Sequence, residues 1–193
     1  MNNELHTGPL GEASQYAEGY SPERLFAMPR VEGRHAVGLM ALPEWHGQDI
    51  WTGFEFSWLN EKGKPKVAVL RLTVPALSSH IVESKSMKLY LNGFAQTRFD
   101  SVLAVSERLT KDLGSAFGGE VGVELLALAD SSLDVGELQG ECLDELDVAI
   151  TDYQRNPDLL ALTASVGSDD VSVTQELTTH LFRSLCPVTA QPD

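Results

Sequence analysis

The chain has 193 residues, 42% of them hydrophobic, with 28 acidic residues against 14 basic ones and a formal net charge of −14. That length allows one large domain or two small ones, each with a packed core. The charge repels a duplex or tRNA surface, and the basic residues lie scattered in ones and twos, so direct nucleic-acid binding is excluded; a soluble protein with small-molecule or protein partners is expected.

The opening segment "MNNELHTGPLGEASQYAEGY" has neither an apolar run nor a basic n-region, so no signal peptide is expected. No apolar stretch approaches the roughly 20 residues of a membrane span, which excludes a membrane helix. The two cysteines, Cys142 and Cys186, are far apart and form no CxxC pair, a usage that fits a reducing cytoplasm. Residues 1–47 are rich in Gly, Pro and polar residues and read as an irregular arm that wraps the domain.

From Asp49 a period appears. In "DIWTGFEFSWL", Ile50, Phe54, Phe56 and Trp58 alternate with Asp49, Gly53, Glu55 and Ser57, the pattern of a half-buried strand. "NEKGK" supplies a turn and "PKVAVLRLTV" a second β-rich run, together an antiparallel hairpin. Helical spacing follows: Met87, Leu91 and Phe94 fall on one face. A second helix, capped by Asp100 or Ser101, carries the stripe Val102, Val105, Leu109, Leu113 and Phe117 and stops at Gly118-Gly119. "EVGVELLALAD" returns to strand character with Val121, Val123 and Leu125 on one face. The order β-β-α-α-β with mostly antiparallel strands is an α+β pattern.

Residues 131–170 are acidic and loop-rich and read as a connection between two units. A strand-like run then extends from Val171 to Leu185, interrupted by Cys186-Pro187. Such a run needs partners that the remaining residues do not supply, so a second module that is incomplete is expected.

The five histidines are dispersed, and none lies at metal-ligand spacing from another His or Cys; no metal site is expected. "GSAFGG" lacks the Lys-Ser/Thr of a P-loop and reads as a helix C-terminus, and there is no dinucleotide-binding glycine fingerprint.

The densest polar stretch is "VESKSMKLY", residues 82–90. Its plain reading is a helix cap, with Glu83 or Ser84 closing the first turn and Lys85 and Lys88 solvated. The same geometry also suits ligands. A carboxylate at a strand end matches the paired N–H groups of a guanine-like edge, and a helix N-terminus with hydroxyls and Lys85 suits a phosphate. Cys186 likewise reads either as a small buried hydrophobe or as a nucleophile, with Asp193 seven residues on as a proton donor. Cys142, in "GECLDELD", has acids around it that disfavour a thiolate.

"ESKSMKLYLNGFAQTRF" closely resembles the signature of the NADPH-dependent 7-cyano-7-deazaguanine reductases, the nitrile reductases of queuosine biosynthesis. "HGQDIWTGFEFSWLNEKGKPKVAV" and "HLFRSLCPVTAQPD" are similar to the long, two-module form of that family, so the resemblance runs from about Trp45 to the end. It implies the tunnelling fold, in which antiparallel sheets with paired helices assemble into barrels. The implied layout is an arm over 1–47, a first module over 48–135, an acidic connector over 136–170 and the start of a second, truncated module over 171–193.

The resemblance further implies that Val82, Glu83 and Ser84 hold the deazaguanine substrate and that Ser84 and Lys85 contact NADPH. Cys186 would attack the nitrile carbon to give a covalent thioimide, Asp193 would donate the proton, and no metal would take part. The implied protein is a cytoplasmic homo-oligomer with a small deazapurine substrate and no membrane or direct nucleic-acid partner. The long family form continues past the aspartate with a His-Glu pair and further basic residues, so this chain is expected to be weakly active alone. Two alternatives stand beside it: a cyclohydrolase-like tunnelling-fold enzyme, whose usual zinc ligands are missing here, and a non-catalytic purine-binding half-module.

Overall fold

A computed structural model describes residues 19–36, 38–40, 47–129, 136–153, 156–159, 174–183 and 185. Contacts divide the chain into two compact units, Met1–Leu133 and Asp134–Asp193.

The first unit is built on a long hairpin. Strands β2 (Gln48–Asn60) and β3 (Pro65–Pro75) pair antiparallel, joined by a turn in which the Asn60 side chain accepts from the backbone N–H groups of Lys62 and Lys64 at 3.0 and 2.9 Å. Asn favours this role because its short amide satisfies turn N–H groups locally. Two further strands flank the hairpin: β6 (Gly122–Leu126) runs antiparallel to β3, and the short β5 (Arg98–Phe99) runs parallel to β2. Helices α2 (Ser84–Asn92) and α3 (Val102–Phe117) cover one face of this sheet. The class is α+β; the long elements follow the expected β-β-α-α-β order, with a short strand inserted ahead of α2 (His80–Val82) and another, β5, between α2 and α3.

The core lies between that face and the helices. Phe56, Trp58, Leu70, Leu72 and Val74 meet Met87, Tyr90, Phe94, Val105, Leu109, Leu113 and Phe117, all essentially buried. Each such side chain contributes about 1.5–3 kcal/mol through removal from water. In α3 the buried set recurs every four residues, one face of a helix. Its caps are as expected: the Ser101 hydroxyl accepts from Ala104 N–H at 3.1 Å, and Gly118 closes the helix at φ 67°.

Three residues expected to face the core do not. Ile50 and Phe54 do not share the buried face of Phe56 and Trp58; each is 59% exposed. Gly53 pairs with Leu70 but Phe56 with Ala68, so Phe54 and Glu55 together oppose the single Val69. This bulge inserts one residue, and because side chains alternate with period two it exchanges the faces: Trp51 points inward before it, Phe56 and Trp58 after it. Val102, expected in the α3 stripe, is 53% exposed, since its place directly after the cap turns it outward. In α2 the buried residues are Ser86, Met87 and Tyr90, and Leu91, as expected, packs on the same core, though partly covered.

Part of the stretch read as an irregular arm is regular. Residues Ala27–Pro29 form β1, which pairs antiparallel with β4 (His80–Val82), and Arg30–Ala36 form α1. Arg30 secures this junction: its guanidinium donates to Ser78 Oγ (3.0 Å) and the His80 carbonyl (3.1 Å) and pairs with Asp49. Ahead of β1, the Tyr20 ring packs edge-on against Phe94 and lies under the Arg108 guanidinium, and its hydroxyl donates to Asp112. The chain passes so close to Gly93 that a Cβ there would sit 2.8 Å from the Gly19 carbonyl oxygen.

In the second unit, β7 (Glu141–Cys142) and β8 (Leu177–Thr178) pair in parallel. The expected run from Val171 to Leu185 is therefore a strand only at Leu177–Thr178 among the described residues 174–183, with Leu181 and Phe182 largely exposed. Val171 and Val173 lie outside the described residues. No helix among the described residues is long and apolar enough to cross a membrane.

Candidate functional site

The stretch from Val82 to Lys88 sits where β4 passes into α2. Val82 ends the β1–β4 ladder opposite Ala27 and is 2% exposed, which fixes the position of the next residue. Glu83 has extended backbone geometry and serves as the N-cap of α2. Its two carboxylate oxygens divide the work: Oε1 accepts from Lys85 N–H at 2.8 Å and Oε2 from Ser86 N–H at 2.7 Å. These are charge-assisted bonds at the positive end of a helix, the setting that best favours a carboxylate.

Ser86 binds this arrangement to the N-terminal segment. Its hydroxyl donates to the Glu83 carbonyl at 2.7 Å and accepts from Phe26 N–H at 3.0 Å, while Glu83 N–H donates to the Phe26 carbonyl at 2.9 Å. Glu83 and Ser86 are buried, at 6% and 1% exposure. Ser84 and Lys88 are exposed and Lys85 is half-buried. The capping and ligand readings of Glu83 thus meet in one side chain, and the capping one is realised. The N–H groups of Lys85 and Ser86, offered by the sequence to a phosphate, are already taken by Glu83. What the helix start exposes is the Ser84 hydroxyl, beside the half-buried Lys85; the buried Glu83 carboxylate, which can accept up to about four hydrogen bonds, keeps acceptor capacity beyond its two backbone bonds.

Beside α2 the β2 bulge borders a cleft of about 280 Å³, lined among others by Gly53, Glu55, Ser57, Lys88 and Asn92. On the other side of the helix, Tyr90 O–H donates to Asp112 at 2.9 Å. Burial and the neighbouring Asp112 charge push the Tyr90 hydroxyl far above the ordinary phenol range, so it remains a neutral donor. Tyr20 is raised as well, chiefly by burial. This pair of phenols on one carboxylate locks α2 to α3 rather than facing a ligand.

Cys186 and Asp193 lie outside the described residues. Cys142 is exposed at the end of β7, and the structure sets it beside Asp144 and His180. Sequence spacing could not reveal that cluster, because His180 is 38 positions from Cys142. Only the Cys-Leu-Asp triplet hinted at it, since residues two apart on an extended segment share a side.

Comparison with known proteins now places the chain. Residues 16–125 match the family described as "Nitrile reductase, 7-cyano-7-deazaguanine-reductase N-term". Relatives named "NADPH-dependent 7-cyano-7-deazaguanine reductase" are 45% identical over 186 residues in Burkholderia orbicola (strain MC0-3) and 49% identical over 191 residues in Chromohalobacter salexigens. These alignments take in 96% and 98% of this chain, and 67% and 66% of the respective relatives. The chain belongs to this nitrile reductase family. It spans about two thirds of the length of the relatives it matches.

Proposed function

We propose that this chain works in the NADPH-dependent reduction of the nitrile of 7-cyano-7-deazaguanine to the aminomethyl base, within queuosine biosynthesis. The observation that carries the reading is the head of α2: a buried carboxylate with unused lone pairs, set between a strand end and an exposed hydroxyl. Glu83, aligned by Val82 and Ser84, accepts from the N–H edge of the deazaguanine. Ser84 and Lys85 meet the anionic part of NADPH, and an exposed hydroxyl and an ammonium group suit that partner. When bound, NADPH supplies the hydrides, two molecules for the full change from nitrile to primary amine.

The covalent step falls to Cys186 in this reading, supported by the resemblance of "HLFRSLCPVTAQPD" to the family's long form. Its thiolate adds to the nitrile carbon, the C≡N bond loses one π pair to nitrogen, and Asp193 protonates that nitrogen to give a thioimide. A thioimide accepts hydride far more readily than a free nitrile. After the first hydride, loss of the thiolate gives an imine, which the second hydride and a proton convert to the amine. A reduced thiol is required throughout, which supports a cytoplasmic setting.

The proposal includes the tunnelling fold, with a first module over 48–135, an acidic connector over 136–170 and a second module beginning at 171. It also includes a homo-oligomer, supported by the exposed Ile50, Phe54 and Val67 on the sheet face away from the helices. The test is intact-mass detection of the adduct with 7-cyano-7-deazaguanine, beside NADPH absorbance decay. Cys186→Ala should abolish the adduct while Cys142→Ala leaves it; an adduct of unchanged yield in Cys186→Ala overturns the assignment.

A further inference from the structure

We propose that Cys142, Asp144 and His180 form a binding site for a zinc-class divalent transition metal ion, a site separate from the reductase chemistry and not dependent on it. Three donor atoms of three kinds converge there: the Cys142 thiol sulfur, a carboxylate oxygen of Asp144 and Nδ1 of His180, all within 4.8 Å of one another. Nδ1 lies 3.0 Å from Asp144 Oδ2 and 3.9 Å from Cys142 Sγ. In a tetrahedral zinc site with bonds of about 2.3 Å to sulfur and about 2.0–2.1 Å to nitrogen or oxygen, neighbouring donors stand roughly 3.3–3.6 Å apart. The two spacings to His180 bracket those values and the Cys142–Asp144 spacing is no more than 4.8 Å, so side-chain shifts of up to about an ångström would close the set around an ion.

The surroundings hold the donors in place. β7 and β8 pair in parallel with Cys142 opposite Thr178, which brings residues 142–144 against 179–180. Gly140, at φ 116°, allows the approach: a Cβ there would sit 2.6 Å from the Glu176 carbonyl oxygen. The Thr179 hydroxyl donates to Asp144 Oδ1 at 2.6 Å, and His180 N–H donates to both carboxylate oxygens at 3.2 and 3.1 Å. Oδ1 is held by the Thr179 hydroxyl, while Oδ2, which shares the His180 N–H, is the oxygen that faces the imidazole. Outer partners of this kind orient metal-binding side chains.

A mixed sulfur, nitrogen and oxygen set suits zinc or cobalt and argues against calcium or magnesium, which prefer oxygen alone. His180 is 66% exposed, so a fourth position stays open to water. Binding releases the thiol proton to solvent, the ion and sulfur forming one bond as the S–H bond breaks. The ion would clip two segments that are distant in sequence and stabilise the second unit.

The test uses the whole 193-residue chain, freed of metal with a chelator, and Co²⁺ and Zn²⁺ salts as probes. The expected result is one ion per chain and a near-ultraviolet thiolate-to-cobalt band that Zn²⁺ displaces. Cys142→Ser should abolish the band and weaken Zn²⁺ binding by about 100-fold or more, and Thr179→Val should weaken it by about tenfold. Cys186→Ala should keep the band. Circular dichroism in chelator, matching the parent chain, shows that each variant is folded; His180→Ala supplies a second ligand deletion should Cys142→Ser misfold. No band with the parent chain, unchanged affinity in the ligand variants, or loss of the band in Cys186→Ala in place of Cys142→Ser overturns the proposal.

Discussion

Glu83→Ala removes both acceptors at the head of α2 and leaves the N–H groups of Lys85 and Ser86, now bonded at 2.8 and 2.7 Å, without their partner. An unsatisfied buried donor costs about 1–3 kcal/mol, and Ser86 is buried, whereas half-buried Lys85 readmits water. With the usual cap loss of up to about 2 kcal/mol, Glu83→Ala should lower the unfolding free energy by about 2–3 kcal/mol. Glu83→Gln keeps one oxygen but turns its amide donor toward an N–H, for a loss of about 1–2 kcal/mol. Glu83→Asp behaves differently. Aspartate is among the best N-caps, so stability should change by less than about 1 kcal/mol. Its carboxylate, however, is retracted by about one C–C bond, roughly 1.5 Å, from any base edge on its outer side. If Glu83 also grips the deazaguanine, Glu83→Asp should bind it more weakly by about 2–4 kcal/mol while staying folded. Urea unfolding followed through the buried Trp58 measures the first quantity, and titration calorimetry with the base measures the second. An aspartate variant that binds the base as tightly as the parent chain removes Glu83 from recognition, and an alanine variant of parental stability removes it from the cap.

Two further outcomes follow from the packing of the first unit. The Tyr90 hydroxyl is raised by burial and by Asp112, so the folded form holds its proton more tightly than the unfolded chain; that stability is fully present below about pH 10 and declines as pH rises further. Tyr90→Phe should cost about 1 kcal/mol at neutral pH and flatten the alkaline decline, read by urea unfolding at several pH values; an unchanged alkaline slope counts against it. Gly118→Ala places a Cβ at φ 67° and 2.0 Å from Ser79 Oγ, and should lower stability by about 1–2 kcal/mol or more in thermal unfolding; a variant as stable as the parent contradicts the left-handed cap.

The hairpin, α3 and its caps were legible because their signals are local. Asn60, Ser101 and Gly118 act within a few residues of themselves, and the four-residue recurrence from Val105 to Phe117 needs no partner to be seen. The bulge was not legible: nothing at Phe54 or Glu55 marks an extra residue, yet it reverses which face every earlier residue occupies. A three-residue strand such as β1 is too short to show alternation, and it exists because β4, more than 50 positions away, supplies its hydrogen bonds. Cys142 and His180 have the same difficulty, since a parallel two-residue pairing brings them together.

At residue 83 the sequence offered two readings as rivals, and the geometry makes them compatible. A helix start is served well by Ser, Thr, Asp or Asn, each shorter than Glu and each able to reach the second or third N–H. A longer carboxylate pays an entropy cost when ordered, and burying a charge costs more unless it is well bonded. Glu83 accepts both costs, held by two backbone N–H groups on its inner side and by the Ser86 hydroxyl on its carbonyl. Two of about four acceptor positions remain beyond those two backbone bonds. Capping thus fixes the direction of the carboxylate, so that under the proposed function a ligand would meet a pre-oriented acceptor and would lose little entropy in using it. That double duty would be a physical reason for glutamate to stand where a smaller cap would suffice.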